Sequence, residues 1–351
     1  MQFSIGDVLA IVDKTILNPL VVSAGLLSLH FLTNDKYAIT ANDGLFPYQI
    51  STPDSHRKAL FALGFGLLLR ANRYMSRKAL NNNTAAQFDW NREIIVVTGG
   101  SGGIGAQAAQ KLAERGSKVI VIDVLPLTFD KPKNLYHYKC DLTNYKELQE
   151  VAAKIEREVG TPTCVVANAG ICRGKNIFDA TERDVQLTFG VNNLGLLWTA
   201  KTFLPSMAKA NHGHFLIIAS QTGHLATAGV VDYAATKAAA IAIYEGLQTE
   251  MKHFYKAPAV RVSCISPSAV KTKMFAGIKT GGNFFMPMLT PDDLGDLIAK
   301  TLWDGVAVNI LSPAAAYISP PTRALPDWMR VGMQDAGAEI MTELTPHKPL
   351  E

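Results

Sequence analysis

The chain has 351 residues, 48% hydrophobic and 18% charged, enough apolar material for a sizeable core, which excludes a disordered protein. The formal net charge is only +4, and Lys and Arg are scattered instead of forming a stripe with aromatics, so nucleic acid is not expected as a partner. Cys140, Cys164, Cys172 and Cys264 are isolated, with neither CxxC spacing nor nearby histidine clusters, and read as buried packing thiols in a reducing compartment, not metal ligands.

The first ninety residues have their own character. Residues 15–34, "TILNPLVVSAGLLSLHFLTN", contain no Asp, Glu, Lys or Arg, and as one helix they are long enough to cross a bilayer. Asn18, Pro19, Ser23, Ser28 and His30 dilute the run, so an interfacial or buried helix is the alternative. Asp7 and Asp13 stand where a signal peptide carries positive charge, which argues against one. Residues 59–69, "ALFALGFGLLL", are too short to span and suit a surface-lying segment. Arg57 and Lys58 before it, and Arg70, Arg73, Arg77 and Lys78 after it, suit a cytosolic, anionic membrane face. Residues 1–90 are therefore expected to be a membrane-associating region that ends in a polar linker, "NNNTAAQFDW".

From residue 91 to 351, strand-like runs alternate with helical patterns, which predicts an α/β domain built on a doubly wound, Rossmann-type parallel sheet. "EIIVV", "KVIVID", "TCVVANAG", "HFLIIAS" and "VRVSCISP" are the predicted strands, each uniformly apolar as strands covered on both faces should be.

After the first of these strands comes "TGGSGGIGAQAAQKLAERG". Glycines let backbone approach a pyrophosphate without a Cβ in the way, and the following helix turns its free N–H groups and positive dipole end toward the anion. Gly99, Ser101, Gly103, Ile104 and Gly105 are therefore candidate dinucleotide contacts. Asp123 ends the next strand, where a carboxylate accepts from adenosine ribose hydroxyls and repels a 2′-phosphate. That favours NAD as cofactor, with NADP left open.

Further along, "YAATK" places Tyr233 and Lys237 four residues apart in an alanine-rich helix, on one face, where the ammonium is expected to lower the phenol's pKa. Between them these motifs resemble the short-chain dehydrogenase/reductase family, over about residues 94–326. "TGGSGGIG" is similar to its nucleotide loop and "CDLT", with Asp141 and Leu142, to its adenine-contacting pair. "NAG", with Asn168, Ala169 and Gly170, matches its strand-stabilising motif, and "VNN" supplies Asn192. "IIAS" supplies Ser220, thirteen residues before Tyr233. Two departures stand out: Ser268 follows Pro267 where the family usually has glycine, and Ala167 precedes Asn168 where a second Asn is common. The hydrophobic N-terminal extension, "FLPSMAKANHGHFLIIASQTGH" and the Pro-rich "SPPTRALPDW" resemble the membrane-associated retinol and 17-beta-hydroxysteroid dehydrogenase branch.

The resemblance implies an NAD(P)-dependent oxidoreductase that interconverts an alcohol and its carbonyl on a lipophilic substrate. Tyr233 would be the acid/base, Lys237 its modulator and a nicotinamide ribose contact, Ser220 the substrate-oxygen partner, and Asn192 the holder of a water leading from Lys237. Val270 and Thr272 would join the cofactor contacts. It further implies a membrane or lipid-droplet surface as partner, endoplasmic reticulum or lipid-droplet localisation with the catalytic domain facing the cytosol, and compatibility with a homodimer. The rival expectation is a surface protein that keeps the fold as a binding scaffold. Phe275, Phe284, Phe285, Met286 and Met288, with Gly277, Gly281 and Gly282 as hinges, suggest an apolar, reshapeable substrate loop.

Overall fold

The computed structural model describes residues 4–32, 38–41, 48–51, 54–278 and 284–338. The chain divides into two compact units, with the boundary between Lys78 and Ala79.

In the first unit, helices α1 (Ile5–Lys14), α2 (Pro19–Leu32) and α3 (Asp54–Leu80) accompany an antiparallel hairpin of β1 (Ala38–Ala41) and β2 (Tyr48–Ser51). Gly66 allows α3 to close on the α1–α2 turn, for a Cβ there would lie 2.3 Å from the Leu17 carbonyl oxygen. Asp13 and Arg73 pair at 2.9 Å. The predicted membrane span is broken: Thr15 to Leu17 form a turn, Asn18 Oδ1 accepts from Leu20 N, and the helix restarts at Pro19. Pro19 suits a first helical position because it has no N–H to leave unpaired. The resulting α2 has 14 residues, a rise of about 21 Å, short of the roughly 30 Å hydrocarbon core. Among the described residues no helix is long and apolar enough to cross a membrane, so the transmembrane expectation is corrected; residues 33 and 34 lie outside them.

The second unit holds a seven-stranded parallel sheet. Its strands are β3 (Ile94–Thr98), β4 (Lys118–Asp123), β5 (Leu135–Lys139), β6 (Cys164–Ala167), β7 (His214–Ile218), β8 (Arg261–Pro267) and β9 (Asn309–Ser312), in the order β5-β4-β3-β6-β7-β8-β9. The order reverses between β3 and β6, and in such sheets the crevice beyond the carboxyl ends at that reversal is the ligand site. Successive residues of β3 serve opposite faces: Ile94 and Val96 belong to one apolar cluster, Ile95 and Val97 to the other. Helices α4 (Gly103–Glu114) and α9 (Pro291–Trp303) supply residues to the second cluster; α5 (Tyr145–Glu158), α7 (Gly195–Ala210) and α8 (Val231–His253) supply the first. The doubly wound α/β sheet is thus as expected from the apolar runs.

The stretch expected to be a linker is packed into this unit. Asn81 is buried and exchanges two bonds with Ala307, at 3.1 and 2.8 Å, while the buried Arg261 donates to the carbonyls of Asn81 and Thr84. Phe88 stacks on Trp90, both against the apolar cluster of α4 and α9. Local polarity hid this role, since the stabilising groups are backbone carbonyls whose partners lie over 170 residues away. All four cysteines are buried and unbridged, as expected.

Candidate active site

The dinucleotide side begins where β3 gives way to α4. Gly99 and Gly103 adopt positive φ, 63° and 57°, which an L side chain strains to reach. A Cβ on Gly99 would lie 2.8 Å from Ala169 Cα, and one on Gly105 would lie 2.2 Å from the Gly99 carbonyl oxygen. Asn168 holds the same turn through Nδ2, donating to the carbonyls of Thr98 and Gly99 at 3.1 and 3.0 Å, while the N–H groups of Asn168 and Ala169 donate to Thr98 Oγ1. Gly102 caps α4 with no side-chain hydrogen bond, which leaves the first-turn N–H groups without a capping side chain, and Ile104 packs against the apolar cluster of α4 and α9. Thr272 comes close, its Cγ2 3.8 Å from where a Cβ on Gly103 would sit. Val270, buried two residues earlier, pairs with Leu289 and accepts from Thr272 N at 2.7 Å.

Asp123 ends β4 beside this loop. Its carboxylate accepts from Ser101 N at 2.9 Å and Leu125 N at 3.0 Å, leaving further lone pairs on each oxygen. The Ser101 hydroxyl is turned away, donating to the Leu125 carbonyl at 2.8 Å. Ser101 therefore shapes the loop through side chain and backbone alike, its N–H going to Asp123 and its carbonyl accepting from Thr128. Asp141 is likewise engaged, accepting from Thr143 N and Oγ1, and Leu142 is buried in the core. An uncapped helix end, a turn with no room for Cβ atoms and a carboxylate at the next strand end are the features an anionic dinucleotide requires, so the residues fit the expected cofactor.

Tyr233 and Lys237 lie on α8, buried, with Lys237 Nζ 5.7 Å from the tyrosine ring centroid. Lys237 Nζ donates to the Ile218 carbonyl at 2.8 Å. Burial lowers its pKa to about 8, because the low-dielectric interior disfavours the ammonium. The same effect pushes the Tyr233 phenol above its ordinary value, a push that the Cys172 thiol adds to and a hydrogen bond with Ser220 opposes. The lowered phenol expected from Lys237 is thus not a property of the chain by itself: desolvation dominates and the ammonium is engaged with a carbonyl.

Ser220 follows β7, and its Oγ accepts from Thr222 N at 3.2 Å and Thr222 Oγ1 at 3.0 Å. Its own proton makes a weak bond to the Pro267 carbonyl, at 3.5 Å, and is also within reach of the Tyr233 phenol, so a substrate oxygen readily replaces the carbonyl. Asn192 sits in a π-helical turn (Gly190–Leu194) between α6 (Glu182–Phe189) and α7. Its amide holds both backbone groups of Ile171, accepting from N at 2.8 Å and donating to O at 2.9 Å, and also donates to Thr236 Oγ1 at 2.9 Å. Gly170 lies between the two, for a Cβ there would be 3.4 Å from Asn192 Oδ1 and 3.5 Å from Lys237 Nζ. Asn192, Thr199, Leu142 and Lys237 line a small cavity behind the lysine.

Thr98, Thr222 and Thr236 were not singled out from sequence, although each orders a candidate site residue. Their signal is weak, because threonine at strand ends and on helices is common. Around Tyr233, Cys172 and Val230 form an apolar cluster with Met274 and Phe275, the Phe275 ring standing edge-on to the tyrosine at 5.8 Å. Phe284 and Phe285 stand edge to face at 5.0 Å and are exposed. Gly277 is at φ 88°; Gly281 and Gly282 lie outside the described residues.

The short chain dehydrogenase family model matches residues 93–282, and the chain belongs to that family of oxidoreductases. Within it the chain is similar to dehydrogenase RED2 of Cochliobolus heterostrophus, 35% identical over 59% of this chain and 78% of that one. It is also similar to estradiol 17-beta-dehydrogenase 11 of Macaca fascicularis, 30% identical over 67% and 80% of the two chains. Epidermal retinol dehydrogenase 2 of Mus musculus is 32% identical over 57% and 67%. These likenesses put the chain in the retinol and 17-beta-hydroxysteroid dehydrogenase branch. Among solved structures, a short chain dehydrogenase of Leptospira borgpetersenii with bound NAD+ superposes with a TM-score of 0.55 at 21% identity, covering 65% of this chain and 95% of that one, a likeness of fold.

Proposed function

We propose that this oxidoreductase interconverts an alcohol and its carbonyl on a lipophilic substrate, with Ser220, Tyr233 and Lys237 as the reacting constellation. The observation that carries this reading is the meeting of a weakly committed Ser220 hydroxyl, a buried Tyr233 phenol and the apolar wall of Cys172, Val230, Met274 and Phe275. Such a wall favours a lipophilic carbinol over a sugar.

A bound nicotinamide would supply the hydride acceptor or donor and, when oxidised, a positive charge. In oxidation Tyr233 Oη takes the alcohol proton; in reduction it gives one. Ser220 Oγ, held as an acceptor by Thr222, directs its proton to the substrate oxygen and fixes it near the tyrosine. Lys237, whose ammonium is disfavoured by burial, borders a cavity shared with Asn192 and Thr199, which suits a water-linked proton path. Gly99, Gly103 and Gly105 would admit the pyrophosphate; Asp123, which keeps free lone pairs, would take the adenosine ribose and favour NAD over NADP. Val270 and Thr272 would border the carboxamide.

A membrane or lipid-droplet surface is the proposed home of the substrate. Support comes from the first unit, where Leu20, Leu27, Phe61 and Leu68 are exposed on helices α2 and α3, a pattern suited to lying on lipid. The test is to incubate purified protein with NAD(H) and NADP(H) and a panel of retinoid, steroid and fatty alcohols and carbonyls, following nicotinamide absorbance. Turnover of bulky lipophilic compounds over short polar ones supports the reading; no turnover in either direction favours the scaffold alternative.

A further inference from the structure

The turn that follows Ser220 is gripped by a segment a hundred residues away. Ser220 caps a short 3-10 turn (Gln221–Gly223), and its carbonyl accepts from Gly223 N at 3.0 Å. Gly223 lies directly on α8, since a Cβ there would be 2.7 Å from both the carbonyl carbon and oxygen of Lys237. The carbonyls of Gly223 and His224 are taken by one side chain, Arg323, through Nη2 at 3.0 Å and Nε at 2.9 Å. Two further bonds come from the same C-terminal stretch: Gln221 Nε2 donates to the buried Ser319 Oγ at 2.7 Å, and Gln334 Nε2 donates to the Ala226 carbonyl at 3.0 Å.

We propose that Arg323 is a positioning residue for Ser220, and that the C-terminal segment is the clamp that holds the serine's turn against the catalytic helix. This rests on the dehydrogenase chemistry proposed above. A guanidinium carries several donors in a fixed plane and meets two successive carbonyls at once, whereas an ammonium is a point charge that cannot reproduce the fork. With those carbonyls fixed, Gly223 is fixed, and its N–H keeps the Ser220 carbonyl, and therefore the Oγ direction, in place. Because reacting groups lose rate steeply on small displacements, a loosened turn lowers turnover while leaving the dinucleotide side, held by Asn168 and Asp123, as it was.

The test compares wild type with Arg323→Ala and Arg323→Lys. Arg323→Ala is expected to lower kcat about tenfold, with Arg323→Lys between the two and the NAD dissociation constant within about twofold of wild type in both. A second readout is the pH profile of kcat in the oxidative direction. Ser220 is the group that holds the Tyr233 phenol down, against burial and Cys172, with Lys237 and Asp232 as the other ionisable neighbours on α8. Loosening Ser220 therefore moves the rising, acid-side limb, where the phenol must lose its proton, to higher pH, an effect that general loss of stability does not produce. Unchanged kcat and an unmoved limb in a folded Arg323→Ala protein overturn the proposal. If that variant does not fold, Arg323→Lys decides in the same way. Wild type inactive on the whole panel means the dehydrogenase reading has failed instead. The clamp is then judged by hydrogen exchange of a peptide spanning residues 220–226: faster exchange in Arg323→Lys supports it, and equal exchange overturns it.

Discussion

On the dinucleotide side, contacts are made by backbone and by the absence of side chains: Gly99, Gly103 and Gly105 leave no room for a Cβ or adopt positive φ, and Asn168 and Asp123 bind main-chain groups. On the substrate side, contacts are made by side chains from distant segments: Cys172, Val230, Met274 and Phe275 around Tyr233, and Arg323 and Gln334 on the turn after Ser220. A phosphate and a ribose are the same in every reaction, which suits a surface built from main chain and glycines. A substrate pocket that varies between enzymes is assembled from exchangeable side chains on loops. The two sides should therefore fail differently when altered.

Gly105→Ala tests the dinucleotide side through stability and affinity together. Its Cβ would stand 2.2 Å from the Gly99 carbonyl oxygen and 2.6 Å from Asn168 Nδ2, so main chain has to move. Overpacking of this kind costs about 1–3 kcal/mol of stability, and the displaced loop should lose dinucleotide affinity at least tenfold. Thermal melts with and without NAD check both, and a variant that keeps its NAD-induced stabilisation would break the claim that this side is closed by backbone.

Tyr233→Phe comes next. It removes one oxygen from the substrate side and none from the dinucleotide side. Turnover should fall at least about 100-fold, the usual lower bound for a lost acid/base, with the NAD dissociation constant nearly unchanged. Residual activity above about one hundredth of wild type would contradict the role given to the phenol.

Lys237 stands between the two sides and offers a test through stability. Its pKa is near 8 in the folded chain against 10.5 ordinarily, so between those values the unfolded chain binds more protons and folding stability rises with pH. Relative to Lys237→Met, wild type should gain on the order of 2–3 kcal/mol between pH 7.5 and 10 in denaturant titrations. A constant difference across that range would mean the lysine is not desolvated.

Cofactor choice is a smaller shift. Asp123→Ser with Val124→Arg removes a carboxylate and adds a cation beside the ribose site, and the ratio of kcat/KM for NAD to NADP should fall about tenfold or more. An unchanged ratio would show that Asp123 serves only Ser101 and Leu125.

What could be foreseen from sequence follows the same division. The five predicted strands, β3, β4, β6, β7 and β8, are the interior strands of the sheet and are mostly buried, whereas β5 and β9 went unread. They are the two edges: in "LYHYK" only Leu135 and Tyr138 are buried, and in "NILS" only Leu311 is. The glycine loop was legible because its geometry is a property of the residues themselves. The packing of residues 81–92 and the Arg323 clamp were not, because each is a hydrogen bond between a side chain and a remote carbonyl, and a carbonyl has no sequence signature. The predicted membrane span failed on one local detail: Asn18 and Pro19 start a new helix within the apolar run.

The smallest expected effect tests how far the apolar wall extends. Phe275 touches the Tyr233 ring, but Phe284 and Phe285 are exposed, at 39% and 67%, and their edge-to-face pair is the outer part of the predicted substrate loop. If a long substrate covers them, each added methylene of an aliphatic alcohol should improve kcat/KM by up to about 0.8 kcal/mol until the wall ends. Phe284→Ser with Phe285→Ser should then leave short alcohols unaffected and flatten the gain for long ones. Phe275→Ser, in contact with the tyrosine, should weaken short and long alcohols alike. Identical chain-length slopes in wild type and the double variant would confine the apolar wall to the four residues around Tyr233, and the exposed pair would then belong to a lipid-facing surface instead of the pocket.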